Sequence, residues 1–144
     1  MSTPPTSYTV HARSTGEVAE VIAADEVIGI DPRWGAEPAG LPGPAELLAA
    51  AFAACLLKNL ERSRSMLSFS YEHAEVRVVA HRQDAPPKFV GISYELTIAT
   101  DESERRVALV HRNLQKYGTV YNTLAAVCDV HGDVVAVPVG PSGG

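Results

Sequence analysis

Two cysteines, Cys55 and Cys128, are the side chains in this sequence best suited to nucleophilic or redox chemistry. A thiolate is the reactive form of cysteine, and a nearby cation lowers the pKa of a thiol. Lys58 and Arg62, three and seven residues after Cys55, are the nearest cations along a helix. Both also fit the solvated end of a helix. Since free cysteine is among the most buried residue types, an inert core position is the competing interpretation.

Metal and cofactor chemistry has little support in the sequence. There is no CxxC pair, and the five histidines are scattered, so no zinc-ligand spacing is present. No glycine-rich phosphate loop occurs either. Asp129 and His131 follow Cys128 closely, but residues one and three positions along a strand point to its other face. We therefore expect neither a metal nor a cofactor.

Composition excludes several classes of partner. The net charge of −5, from 12 basic and 17 acidic residues, argues against nucleic-acid binding, which needs a clustered positive field. The longest apolar run, "LLAAAFAACLL" (47–57), is too short to cross a bilayer. The start, "MSTPPTSYTV", lacks the charged and apolar regions of a secretory signal. We expect one cytoplasmic domain over residues 1–144, with flexible ends at 1–7 and 140–144.

Periodicity predicts strands joined by turns, with helices inserted between them, which indicates an α+β fold. A hairpin turn is expected at Thr15-Gly16. Asp101 and Glu104 have the spacing of a capping box, with Gly118 ending that helix. The predicted elements are strands at 8–13, 17–24 and 26–30, a helix from Pro44 to about Ser65, strands at 69–82 and 88–100, a helix at 101–118, a short helix or turn at 119–126 and a strand or hairpin at 127–137.

Burial is expected for three of these elements. The helix around Cys55 is apolar on nearly all sides, which is typical of a buried helix, and its alanines allow close approach of a neighbour. In the strand at 88–100, alternate residues from Val90 to Ile98 share one face. In the capped helix, an apolar stripe runs from Val107 to Tyr117. Cys128 is predicted to face the core from within the last strand.

Two motifs resemble one known family. "GPAELLAAAFAACL" (43–56) is similar to the signature helix of the OsmC/Ohr family of hydroperoxide reductases. "LQKYGTVYNTL" (114–124) is similar to the second signature of that family, Lys-x-Cys-Pro-Val/Ile-Ser with a Leu-ended turn. The order of elements agrees over nearly the whole chain. The resemblance implies an intertwined α+β homodimer with a buried central helix and active sites at the dimer interface.

The resemblance also implies a chemistry. In this family the first cysteine, here Cys55, attacks a peroxide as a thiolate, and an apolar pocket suits organic hydroperoxides. An Arg favours the thiolate and a Glu orients that Arg; the candidates here are Arg13, Arg33 and Glu46. The expected function is a thiol-dependent peroxidase in oxidative-stress defence, with a small-molecule peroxide and an external thiol reductant as partners.

This chain departs from the family pattern at the second thiol. Gly118 stands where the second cysteine is expected, and Cys128, ten residues further on, is the remaining candidate for a resolving thiol. The alternative function is therefore a non-catalytic dimer that binds a small hydrophobic ligand or a partner in the interface pocket. Enzymatic activity remains open between these two hypotheses.

Overall fold

The computed structural model describes residues 5–140 of the chain. The predicted flexible ends therefore lie mostly outside the described residues. The chain divides into two compact units, residues 1–47 and 48–144, so the single domain of the sequence analysis stays a prediction. The described elements are β1 Val10–Ser14, β2 Ala19–Ala23, β3 Glu26–Ile30, α1 Pro44–Met66, β4 His73–Gln83, β5 Lys88–Ala99, α2 Glu104–Tyr117, α3 Thr119–Ala125 and β6 Asp129–Val137.

The first unit contains an antiparallel sheet in the order β1-β2-β3. The predicted turn at Thr15-Gly16 is confirmed: the Thr15 N–H donates to the Val18 carbonyl at 2.9 Å. Gly16 has a φ of +95°, a conformation that glycine adopts without steric cost. The third strand has the predicted bounds.

The second unit contains a sheet in the order β4-β5-β6, with β5 at its centre. β4 pairs antiparallel to β5, whereas β6 pairs parallel to it, because α2 and α3 carry the chain back across the sheet. The predicted buried face of β5 is confirmed at Ile92, Tyr94, Leu96 and Ile98, while Val90, near the strand start, is exposed. Strands and helices combine in the predicted α+β fold.

One face of α1 forms the core with this sheet. Phe52, Leu56 and Leu60 recur every four residues and are at most 1% exposed. They pack in one cluster with β5 and with Val107, Val110 and Leu114 of α2. Burying an aliphatic or aromatic side chain of this size stabilises the fold by about 1.5–3 kcal/mol. The opposite face of α1, with Ala51, Ala54 and Leu57, is exposed in the single chain.

Three further local predictions were wrong. The cap of α2 is Ser103, not Asp101: the Ser103 side chain accepts from the Arg106 N–H at 3.2 Å. Tyr117, predicted for the buried stripe of α2, is 46% exposed. Cys128 lies before β6 and not within it.

Candidate functional site

Cys55 lies in the middle of α1, and its thiol is free and half-buried. Its neighbours Phe52 and Leu56 turn into the core, and Cys55 itself packs against that core cluster. Ala51 and Ala54 carry only a methyl group, so little bulk surrounds the sulfur on its own helix. The side chain is therefore placed at the edge of the core, between buried and accessible surroundings.

Asn59, one turn after Cys55, is the polar side chain closest to the sulfur on α1. Its Nδ2 donates to the Cys55 carbonyl at 2.9 Å and lies 3.7 Å from Sγ, within range of a weak N–H···S hydrogen bond. Asn59 is not among the residues predicted from the sequence, although an Asn four residues after a helical Cys is a signal that points to it.

Gly118 lies against Cys55. It is buried at the junction of α2 and α3, and a Cβ placed on it would lie 3.1 Å from Cys55 Sγ and 3.0 Å from both the Leu114 carbonyl oxygen and Tyr121 Cβ. In a disulfide, a Cβ stands about 3 Å from the sulfur of the other cysteine. The position at which the resemblance places a second cysteine is thus the position that faces Cys55, and here it carries no side chain.

Cys128 occupies a different environment. It follows α3, is half-buried, and its Sγ donates to the Leu124 carbonyl at 3.2 Å. This contact directs the thiol toward the end of α3, and both cysteines are free. The predicted core contact of Cys128 is confirmed, whereas its role as a resolving thiol stays a prediction.

The two candidate arginines both have carboxylate partners within the first unit. Arg13 of β1 pairs with Glu20 of β2, the residue directly opposite in the ladder. Arg33 makes two bonds of 3.0 Å to the Asp31 carboxylate and donates to the Glu37 carbonyl. Because of these bonds from Arg33, the pKa of Asp31 is lowered to about 2. Their roles toward Cys55 stay predictions.

Glu46 lies in the first turn of α1. Its Oε2 accepts from the Gly43 N–H at 3.3 Å, which satisfies a backbone donor just before the helix begins. This contact explains the residue type by itself, and a role of Glu46 in orienting an arginine stays a prediction.

The Arg62 side chain makes specific contacts with α2, although its position in the sequence also fits a solvated helix end. Its guanidinium carbon lies 4.7 Å from the centroid of the Tyr117 ring, and its Nη1 donates to Asn113 Oδ1 at 3.3 Å. Tyr117 directly precedes Gly118, so a cation of α1 is held beside the residue that faces Cys55. Lys58, the other cation considered from the sequence, is exposed.

A hydrogen-bonded network joins aromatic side chains of the core. The Tyr94 hydroxyl lies 2.6 Å from His111 Nε2 and 3.4 Å from the Tyr121 hydroxyl, and the Phe52 ring packs on both tyrosines. Burial raises the pKa of Tyr94 above its ordinary range and lowers the pKa of His111. At neutral pH both side chains are therefore uncharged.

Within residues 5–140, no group of three His, Cys, Asp or Glu side chains could hold a metal ion. In the same part of the chain, no helix has the length and apolar character needed to cross a membrane.

The fold and the site place this protein among α+β proteins that carry a free thiol in the middle of an alanine-rich helix packed on the core. A sequence model of one family, described as OsmC-like protein, matches residues 37–131, which include Cys55 and Gly118. The chain belongs to this OsmC-like family. The resemblance drawn from the two motifs is thereby confirmed. No curated protein matches the chain at a significant level.

Solved structures support the same fold. An OsmC-like protein from Mycoplasma pneumoniae is 20% identical with a TM-score of 0.81, over 92% of this chain and 98% of that chain. An organic hydroperoxide resistance protein OsmC from Legionella pneumophila is 19% identical with a TM-score of 0.74, over 92% and 99%. An organic hydroperoxide resistance protein from Elizabethkingia anophelis is 15% identical with a TM-score of 0.72, over 92% and 99%. At these identities the likeness establishes the fold alone.

Proposed function

We propose that this protein is a thiol-dependent peroxidase that reduces organic hydroperoxides or hydrogen peroxide, with Cys55 as the attacking nucleophile. One observation carries the proposal: the thiol at the position of the first family cysteine is free, half-buried beside an apolar core, and within 3.7 Å of the Asn59 amide nitrogen. The names of two structural neighbours, organic hydroperoxide resistance proteins, support the same substrate class.

The first half-reaction is a two-electron transfer at sulfur. The Cys55 thiolate attacks the terminal oxygen of the hydroperoxide, an S–O bond forms, and the O–O bond breaks. The leaving alkoxide takes a proton and departs as an alcohol, or as water when the substrate is hydrogen peroxide. Cys55 is oxidised to a sulfenic acid, and the peroxide is reduced.

The second half-reaction needs an external thiol, because position 118 has no sulfur. A thiol condenses with the Cys55 sulfenic acid, forming an S–S bond and releasing water. A second thiol then attacks this mixed disulfide, restores the Cys55 thiol and leaves as the oxidised disulfide of the reductant. Cys128 remains a candidate resolving thiol, provided that its end of α3 moves toward Cys55.

The assembly belongs to the proposal as well. We infer a cytoplasmic homodimer in oxidative-stress defence, without membrane or nucleic-acid partners. The exposed apolar face of α1, with Ala51, Ala54 and Leu57, would supply apolar surface to such an interface. Arg13, Arg33 and Glu46 are the proposed groups for activating the thiol.

A second function follows from Gly118. With no thiol at the position that faces Cys55, the protein would act as a non-catalytic dimer that binds a small hydrophobic ligand or a partner in the interface pocket. The free Cys55 would then be a packing residue at the edge of the core. This function predicts slow alkylation of Cys55 until the protein unfolds.

Steady-state consumption of cumene hydroperoxide with dithiothreitol separates the two functions. The peroxidase proposal predicts consumption by the wild type and by Cys128→Ser, and none by Cys55→Ser. Circular dichroism verifies that both variants fold. A wild type that consumes no peroxide with dithiothreitol or another thiol would refute the peroxidase proposal and favour the binding function.

A further inference from the structure

Two cations share one tyrosine ring beside the thiol. The Arg62 guanidinium lies 4.7 Å and the Lys116 ammonium 5.2 Å from the centroid of the Tyr117 ring. The two positive charges are therefore no further apart than the sum of these distances. A cation over an aromatic face is attracted by its quadrupole, but the two cations repel each other.

These two charges lack a partner of opposite sign. Among the described residues, no carboxylate comes within 4.0 Å of Arg62 or Lys116, and Arg62 donates only to the neutral Asn113. Arg13, Arg33, Arg64, Arg82 and Arg106 are paired with Asp or Glu, whereas Arg77, Arg105 and Arg112, like Arg62, have no such partner among the described residues. What sets Arg62 apart is the second cation, Lys116, on the same tyrosine ring. In a chain of net charge −5, a pair of uncompensated cations is a local positive field.

Helical spacing places Arg62 on the same face of α1 as Cys55. Asn59 and Arg62 follow Cys55 by four and seven residues, so the three side chains share one face of α1 over about 10 Å. Tyr117, which holds both cations, directly precedes Gly118, whose Cβ position is 3.1 Å from Cys55 Sγ. A small molecule that reacts at Cys55 can therefore extend along this face toward the cations.

We propose that Arg62 and Lys116, positioned by Tyr117, bind the carboxylate of the small molecule that reacts at Cys55. The planar guanidinium of Arg62 suits a carboxylate, which it can bind through two parallel hydrogen bonds. This inference deepens the proposed function, since the molecule would be either the reducing thiol or the peroxide.

Two maleimides of similar size test the charge preference without any peroxide. The Cys55 thiolate adds to the C=C bond of a maleimide, an S–C bond forms, the π bond breaks, and the resulting carbanion takes a proton from water. N-ethylmaleimide is neutral, whereas 3-maleimidopropionate carries a carboxylate. We expect wild-type Cys55, identified by peptide mass spectrometry, to react about fivefold faster with the anionic probe relative to free cysteine.

Matched variants locate the effect. Arg62→Gln and Lys116→Gln should each bring this ratio toward one, and added salt should lower it in the wild type. Arg105→Gln removes the same charge about 18 Å from Tyr117 along α2 and should leave the ratio unchanged. The proposal is overturned if the wild-type ratio is one or less, if Arg62→Gln does not lower it, or if neither probe labels Cys55 in the folded protein.

Peroxide assays then distinguish the two sources of the carboxylate. If the reductant carries it, mercaptoacetate should outperform neutral 2-mercaptoethanol in the wild type but not in Arg62→Gln. If the peroxide carries the carboxylate, wild type should instead reduce a carboxylate-bearing hydroperoxide faster than tert-butyl hydroperoxide. Selectivity between the maleimides without peroxide consumption would support the anion site and refute the peroxidase. Peroxide consumption without any charge selectivity would support the peroxidase and refute the anion site.

Discussion

The Cβ position of Gly118 stands 3.1 Å from the sulfur of Cys55. This short distance joins α1 to the junction of α2 and α3, although Cys55 and Gly118 are more than sixty residues apart in the chain. A cysteine at this position would have its Cβ at the separation that a disulfide requires, which is about 3 Å. Position 118 therefore meets one distance requirement of a disulfide with Cys55, although it carries a glycine in this protein.

Restoring the second thiol should therefore create a disulfide. After one equivalent of cumene hydroperoxide, we expect Gly118→Cys to lose two thiols and to form a bond between residues 55 and 118. Wild type should instead accumulate a sulfenic acid that dimedone labels. Thiol titration and peptide mapping check both outcomes, with Gly118→Ala as the control for size. A variant that keeps the new thiol free after oxidation would contradict the geometry.

The same glycine tests the packing. A methyl group at position 118 would stand 3.0 Å from both the Leu114 carbonyl oxygen and Tyr121 Cβ, so the junction of the helices must shift. We expect Gly118→Ala to lower the free energy of unfolding by about 1–2 kcal/mol in urea denaturation. An unchanged or higher stability would mean that the junction adapts without strain.

Gly132 of β6 should be the more sensitive glycine. A Cβ there would lie 2.3 Å from the Tyr94 carbonyl oxygen, whereas a Cβ on Gly91 of β5 would lie 3.4 Å from the Asp129 carbonyl oxygen. We expect Gly132→Ala to destabilise the protein by more than about 2 kcal/mol and Gly91→Ala by less than about 1 kcal/mol. Chemical denaturation of both variants checks this order, and equal losses would contradict it.

The hydroxyl of Tyr94 should contribute to stability through His111. Tyr94→Phe leaves the His111 ring nitrogen without its partner at 2.6 Å and should cost about 1–2 kcal/mol in the free energy of unfolding. Tyr121→Phe removes only the longer contact of 3.4 Å and should cost less. Denaturation curves of the two variants make the comparison, and a larger loss in Tyr121→Phe would contradict it.

Stability should also depend on pH through His111. Burial lowers the pKa of His111 in the folded protein below its ordinary value of 6.5, although the nearby Asp133 carboxylate partly opposes this shift. Near pH 6.5 the unfolded chain therefore binds more protons at this histidine than the folded protein does. The contribution of His111 to stability is fully present above pH 6.5 and is lost as the pH drops below it. Wild type should lose stability between pH 7 and 5, and His111→Gln should lose less. Equal pH profiles would contradict the assignment.

Local signals in the sequence predicted much of the fold. Pro44 at the first turn and the apolar run after it located α1 to within one residue at its end, and Thr15-Gly16 located the first hairpin. The cap of α2 was misplaced because Asp101 and Ser103 both suit a cap, and the Ser103 bond to the Arg106 N–H decides between them. Cys128 was misplaced because its N–H donates to the Leu124 carbonyl at 2.9 Å, so a turn follows α3 and the strand begins only at Asp129.

The candidate site was harder to predict because its contacts join distant parts of the chain. The first motif identified Cys55, and the second motif identified Gly118 as the position at which the family pattern has a cysteine. The stacking of Arg62 on Tyr117 and the bond between Tyr94 and His111 depend on how α2 packs against α1 and β5. No periodicity in one segment encodes such pairs. The partners of Arg13, Arg33 and Glu46 are local, but their catalytic roles were implied by the family pattern alone.

A single-turnover reaction separates the attack by Cys55 on a peroxide from the recycling of its sulfenic acid. Reduced protein is mixed with one equivalent of cumene hydroperoxide and dimedone, without any reductant, and the alcohol formed and the labelled peptide are measured together. We expect one equivalent of cumyl alcohol, with the dimedone label on Cys55 and little on Cys128. Unreacted peroxide with an unlabelled Cys55 in the folded protein would contradict the proposed attack.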